Sequence, residues 1–149
     1  MTQKMIITAE AKGEEGIKTV ATSSNHTMVM DEPAHLGGQD AGPNPLQMLL
    51  GSLAGCENVI GHFVAKEMNM TLNSLAFDIK GTLDPRGFQG VEGVKPQFET
   101  VEVNVTVDTD EDETNERIQE LKEQTDARCP VYQTLAAAGI ELQTSWTKA

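Results

Sequence analysis

NPLQMLLGSLAGCENVIGHFVAKEM, residues 44–68, decides the fold. It predicts one long helix. Asn44 suits the N-cap, Pro45 the first helical position, and Gln47 the place where a capping box puts Glu or Gln. Leu46, Leu49, Leu50, Leu53, Ile60, Phe63 and Val64 recur at three- and four-residue spacing, and Cys56 falls inside the stripe they form. Gly51, Ser52, Ala54 and Gly55 are small enough to let another backbone approach closely. Interior glycines, a serine and an asparagine weaken the intrinsic helix preference, so tertiary packing must hold this segment. A helix apolar over so much of its circumference is expected to be buried and central.

Outward from that helix, strands and helices segregate. Upstream, residues 4–9, 16–22 and 26–31 read as three short strands with turns at Gly13 and residues 23–25. Residues 32–43 form a Gly/Pro-rich loop leading into the helix. Downstream, Leu75, Phe77, Ile79 and Leu83 mark a half-buried strand, and residues 84–97 a second irregular loop. Val101, Val103, Val105 and Val107 then alternate with polar residues, the cleanest period-two signal in the chain. Residues 110–126 predict a solvated helix touching the core through Ile118 and Leu121. Cys129-Pro130 opens another helix that ends at Gly139, and residues 140–146 give a last strand. This order indicates one α+β domain, residues 1–149, built mainly on antiparallel sheet.

Composition narrows the function classes. A net charge of −12 leaves no basic patch to neutralise phosphates, which argues against nucleic acid as a partner. With 38% hydrophobic and 4% aromatic residues, a lone core would be thin, so burial between two subunits is expected. The N-terminus shows no signal-like apolar segment, and no stretch reads as long enough to span a membrane. Cytoplasmic location is the default. Two cysteines in 149 residues do not make a disulfide framework; they are core residues or chemistry.

Four residues are candidates for that chemistry. A helix start, a nearby cation or a base lowers a thiol pKa. By that criterion Cys129, at a helix start beside Arg128, is better placed than Cys56 in mid-helix. Core packing is the plain alternative for both thiols. Glu57 puts an ionisable group on or near an apolar face, where a carboxyl must be paired or protonated. His26, His35 and His62 are too scattered for a metal site. The loop glycines form no phosphate-binding pattern, so neither metal nor cofactor is expected.

With these segments placed, the chain resembles the OsmC/Ohr superfamily of osmotically inducible and organic-hydroperoxide-resistance proteins. DEPAHLGGQDAGPNPLQMLLGSLAGC (31–56), GTLDPRGFQG (81–90), the valine strand (101–107) and RCPVYQTL (128–135) carry the resemblance. It implies an intertwined homodimer with sheets wrapped around the cysteine-bearing helices. It also implies thiol-dependent reduction of organic hydroperoxides. Cys56 would be the peroxidatic thiolate and Cys129 the resolving thiol, with an external dithiol as reductant. Family peroxidases carry a Glu directly after the Asn-Pro and an upstream Arg. Here Leu46 and Gln47 follow, and the first arginine is Arg86. Glu57 and Arg128 are the candidates for the acid and the cation. The competing expectation is a non-catalytic dimeric module that binds a small hydrophobic ligand.

Overall fold

The capping box forms as read. In the computed structural model, which describes residues 2–149, the Gln47 N–H donates to Asn44 Oδ1 at 2.8 Å and the Asn44 N–H to Gln47 Oε1 at 2.9 Å. Helix α1 follows at Pro45–Glu67. The other elements are strands β1 (Glu10–Glu14), β2 (Lys18–Ser23), β3 (His26–Met30), β4 (Leu72–Thr82), β5 (Thr100–Thr109) and β6 (Glu141–Lys148), with helices α2 (Asn115–Arg128) and α3 (Pro130–Ala137). The chain divides into two compact units, one up to Leu49 and one from Leu50 onward.

The first unit holds an antiparallel sheet in the order β1-β2-β3. Its second turn uses Ser24 and Asn25, both at positive φ, which suits a two-residue hairpin. The first turn is not at Gly13, which lies inside β1; Gly16, at φ 87, supplies it instead. The strand expected at residues 4–9 is absent. That segment has no regular structure, with Met5, Ile6 and Ile7 more than four-fifths exposed, because no neighbouring strand among the described residues takes up its backbone. In the loop before α1, the Asp31 carboxylate accepts the N–H groups of Glu32, Gln39 and Ala41 at 2.8–3.2 Å. Burial pushes that carboxyl up, but the three N–H groups and Lys18 pull harder and leave it below its ordinary value.

The second unit contains the core. Its sheet runs β4-β5-β6, with β4 antiparallel and β6 parallel to β5. Val101, Val103, Val105 and Val107 of β5 are all buried, and Trp146 of β6 pairs with Val105 in register. Period-two alternation looks the same in either direction, so the parallel pairing was not in the valine pattern. Helix α2 starts at Thr114, whose hydroxyl accepts the Arg117 N–H, and buries Ile118 and Leu121. Arg117 also donates to the Met68 carbonyl at 2.8 Å, satisfying an acceptor just past the end of α1. Gly61 lets α1 lie close to three elements. A Cβ there would meet Leu75 of β4 at 2.8 Å, Trp146 of β6 at 3.6 Å and Thr125 of α2 at 3.8 Å.

Within this chain α1 is buried on one face only, by Leu53, Glu57, Gly61, Val64 and Ala65. Leu46, Val59 and Phe63 are 41–57% exposed, and among the described residues nothing lies within 4 Å of where a Cβ on Gly51 or Gly55 would be. The small residues expected to admit another backbone thus face away from the core. By length and composition alone α1 is also long and apolar enough to cross a membrane, contrary to the sequence expectation, because its polar residues are spread too thinly to lower the hydropathy of an 18-residue window. A buried carboxyl on its inner face and a glycine seated on β4, β6 and α2 mark α1 as a core helix.

Candidate functional site

The end of α2, the start of α3 and the middle of α1 bring six polar side chains together: Cys56, Glu57, Lys122, Asp126, Cys129 and Tyr132. Cys129 occupies the junction. Its N–H closes α2 on the Thr125 carbonyl at 2.9 Å, and its Sγ accepts the Tyr132 N–H at 3.4 Å as the N-cap of α3, with Pro130 in the first turn. Gln133 donates to the Asp126 carbonyl at 2.8 Å and so fixes α3 against the last turn of α2.

The two thiols are neighbours: Cys56 is near enough to raise the Cys129 pKa, and both are free thiols. They differ in access, since Cys129 is fully buried whereas Cys56 is partly open. Burial, first, then the neighbouring Cys56 thiol, and Glu57 to a lesser degree, push the Cys129 thiol up to about 12, against the opposing pull of the Tyr132 N–H. The helix start was expected to lower the Cys129 pKa. Burial outweighs it and raises that thiol instead.

Glu57 is fully buried, and neither carboxyl oxygen has a donor partner. Its neighbour is the Asp126 carboxyl, with which it can bond only while one of the two holds a proton. Asp126 Oδ1 is likewise without a donor, whereas Oδ2 accepts from Lys122 Nζ at 3.1 Å. Burial, the Asp126 carboxyl and Cys56 together push Glu57 up to about 9, with Lys122 opposing, so Glu57 is neutral at pH 7. Tyr132 is raised by burial and by both acids, with Thr144 of β6 opposing.

Of the four residues singled out from sequence, Cys56, Cys129 and Glu57 come together and Arg128 does not. Arg128 forks onto Glu67 at 2.6 and 3.0 Å at the surface, because its side chain leaves α2 toward the end of α1. The chain's other two arginines are also bonded to acids, Arg86 to Asp84 and Arg117 to Glu113. The cation in the cluster is Lys122. Lys122, Asp126 and Tyr132 escaped sequence reading. The only signal was the i,i+4 spacing of Lys122 and Asp126 on the turn before Cys129, which looks like any solvated helix pair. Among the described residues no group of three or more His, Cys, Asp or Glu could hold a metal ion.

A thiol pair at a helix junction under a long Asn-Pro-capped helix defines a class, and the chain belongs to the OsmC-like protein family, whose model matches residues 37–145. A hydroperoxide reductase of Mycoplasma genitalium is 29% identical over 135 residues, covering 91% of this chain and 89% of the relative. The fold matches the crystal structure of an OsmC-like protein from Mycoplasma pneumoniae, with a TM-score of 0.83, 21% identity and 99% of each chain covered. It also matches an organic hydroperoxide resistance protein from Elizabethkingia anophelis, with a TM-score of 0.72, 20% identity and 100% and 99% coverage.

Proposed function

We propose that this protein reduces organic hydroperoxides with its two cysteines, in defence against oxidative stress. The observation that supports the reading is that a partly accessible thiol, Cys56, neighbours a buried one, Cys129, closely enough to act on its ionisation. The Cys56 thiolate attacks the terminal peroxide oxygen, the O–O bond breaks, and the alkoxide leaves as alcohol after taking a proton. Cys56 is then a sulfenic acid. Cys129 displaces its hydroxyl as water, giving the Cys56–Cys129 disulfide, which an external dithiol reduces by exchange. Disulfide closure needs Cα atoms within roughly 7 Å.

The family match runs through both compact units, which supports reading residues 1–149 as one functional domain. A homodimer is part of the proposal: the exposed face of α1 with Leu46, Val59 and Phe63, and the exposed Met5, Ile6 and Ile7, are apolar surface that a second copy would cover. Two reduced thiols fit a reducing, cytoplasmic setting.

Thiol titration after one equivalent of cumene hydroperoxide tests the chemistry. Loss of both thiols, abolished in Cys56→Ser, is the expected result; retention of both sinks it. A second reading has its own observation. All three arginines are bonded to acids and Leu46 stands where family peroxidases carry Glu, which suits a binding module for a small hydrophobic ligand. Inert thiols together with a lipophilic ligand that raises the melting temperature would favour it.

A further inference from the structure

Cys129 is the whole of the connection between two helices. Helix α2 ends at Arg128 and α3 begins at Pro130, so Cys129, at φ −79 and ψ 115, caps the end of one and the start of the other. Its atoms are divided between them. The Cys129 N–H belongs to α2, bonded to the Thr125 carbonyl. Its Sγ accepts the Tyr132 N–H and its carbonyl the Gln133 N–H, both from the first turn of α3. Helix α2 is itself tied to α1, by Arg128 on the Glu67 carboxylate and by Arg117 on the Met68 carbonyl. The angle between α2 and α3 therefore decides where the Cys129 sulfur stands relative to Cys56 on α1.

Pro130 leaves that angle without its usual bond. In a continuing helix the Asp126 carbonyl would accept the N–H four residues on, and that residue is Pro130, which has none. The Gln133 side chain supplies the missing donor: its Nε2 reaches back across the junction and donates to the Asp126 carbonyl at 2.8 Å. One residue of α3 thus grips both sides of the junction, the last turn of α2 through its amide and the Cys129 carbonyl through its backbone N–H.

We propose that Gln133 is a positioning residue for Cys129: its amide, standing in for the N–H that Pro130 lacks, sets the angle at which α3 presents the sulfur to Cys56 for disulfide closure. The inference rests on the two-cysteine reading above, but not on the identity of the oxidant. Gln133 is exposed, so water can satisfy the Asp126 carbonyl when the amide is gone. Water bonds that carbonyl without tying it to α3. Loss of the amide therefore spares the fold and loosens the junction, and misplacing a reacting group by about 1 Å can cost about a hundredfold in rate.

Reaction with dithiobis-nitrobenzoate isolates closure from peroxide chemistry. The Cys56 thiolate displaces one thionitrobenzoate and becomes a mixed disulfide. The Cys129 sulfur then attacks Cys56, the protein S–S bond forms, and the second thionitrobenzoate leaves with the bonding pair, both thiol protons going to the medium. Chromophore release reads each phase, and intact mass reads the mixed disulfide between them. Gln133→Met keeps the length and helix preference of the side chain but has no donor, whereas Gln133→Lys keeps a donor of similar reach. In Gln133→Met the first phase is expected to be unchanged and the second slowed on the order of tenfold, with the mixed disulfide accumulating. In Gln133→Lys the second phase returns to the parent rate. A merely structural role predicts the opposite sign, because a loosened junction uncovers Cys129 to direct attack by the reagent and speeds the second release. A second phase in Gln133→Met as fast as the parent's or faster, or one slowed equally in Gln133→Lys, overturns the proposal and leaves the two-cysteine reading standing. A parent protein that stops at the mixed disulfide, or releases both equivalents without an intramolecular disulfide, overturns that reading and this proposal with it.

Discussion

Replacing Glu57 with Gln should make the protein more stable at neutral and alkaline pH, although it removes a buried side chain's native chemistry. Folding raises the Glu57 pKa from 4.5 to about 9, with burial the largest cause and Asp126 the next. Between those values the native state holds a proton that the unfolded chain releases. Stability therefore falls as pH rises through the window, by roughly 1 to 1.5 kcal/mol per pH unit from this group. Between about pH 6 and about pH 8 the loss is on the order of 2–3 kcal/mol. The Cys129 thiol adds nothing there, because its window opens only at its ordinary 9.0 and runs to about 12. Glutamine keeps the volume and can donate an N–H to Asp126 without titrating. Urea unfolding of parent and variant, compared at equal m-value from about pH 6 to about pH 8, reads the difference directly. The gap between the curves should widen by about the stated amount from the acid to the alkaline end. Parallel curves would refute the argument, since they would mean that Glu57 is ionised in the folded protein.

Three further outcomes follow from the same geometry. Arg128→Ala should leave stability almost unchanged, as for other surface ion pairs, and leave thiol oxidation by cumene hydroperoxide unaltered, because its partner is Glu67; a slowed oxidation would place Arg128 at Cys56 after all. Leu53→Ala removes a fully buried α1 side chain and should cost about 2–5 kcal/mol by chemical denaturation, and a loss below about 1 kcal/mol would mean that this face of α1 is not core. Phe63→Glu puts a charge on the exposed apolar face of α1; sedimentation velocity should show a smaller species than the parent, and an unchanged mass would remove that face from any dimer contact.

What the sequence carried legibly was local. The Asn44–Gln47 capping box needs residues three apart, and the β5 valines declare their face by alternation, so both are found where expected. What it hid depended on partners far along the chain. Residues 4–9 have the apolar pattern of a strand, but a strand exists only where another backbone takes its hydrogen bonds. Lys122 and Asp126 look like a solvated i,i+4 pair, and only the fold turns Asp126 inward against Glu57. Arg128 adjoins Cys129 in sequence, yet one residue along a helix end is enough to send the two side chains to different surroundings.

The two cysteines illustrate how magnitudes decide between rules that point in opposite directions. A helix start favours a thiolate, but such an effect is worth about 0.3–1 kcal/mol, less than one pKa unit, and up to about 2 kcal/mol in favourable cases. Burial, the Cys56 thiol and Glu57 raise Cys129 from 9.0 to about 12 in spite of it. The start of α3 therefore holds the Cys129 sulfur in place, through the Tyr132 N–H, more than it ionises it. On the two-cysteine reading proposed above, a sulfur that is held in place but stays protonated suits the second, resolving step, and the partly open Cys56 the first. The order of reaction would then follow from access and burial rather than from helix position.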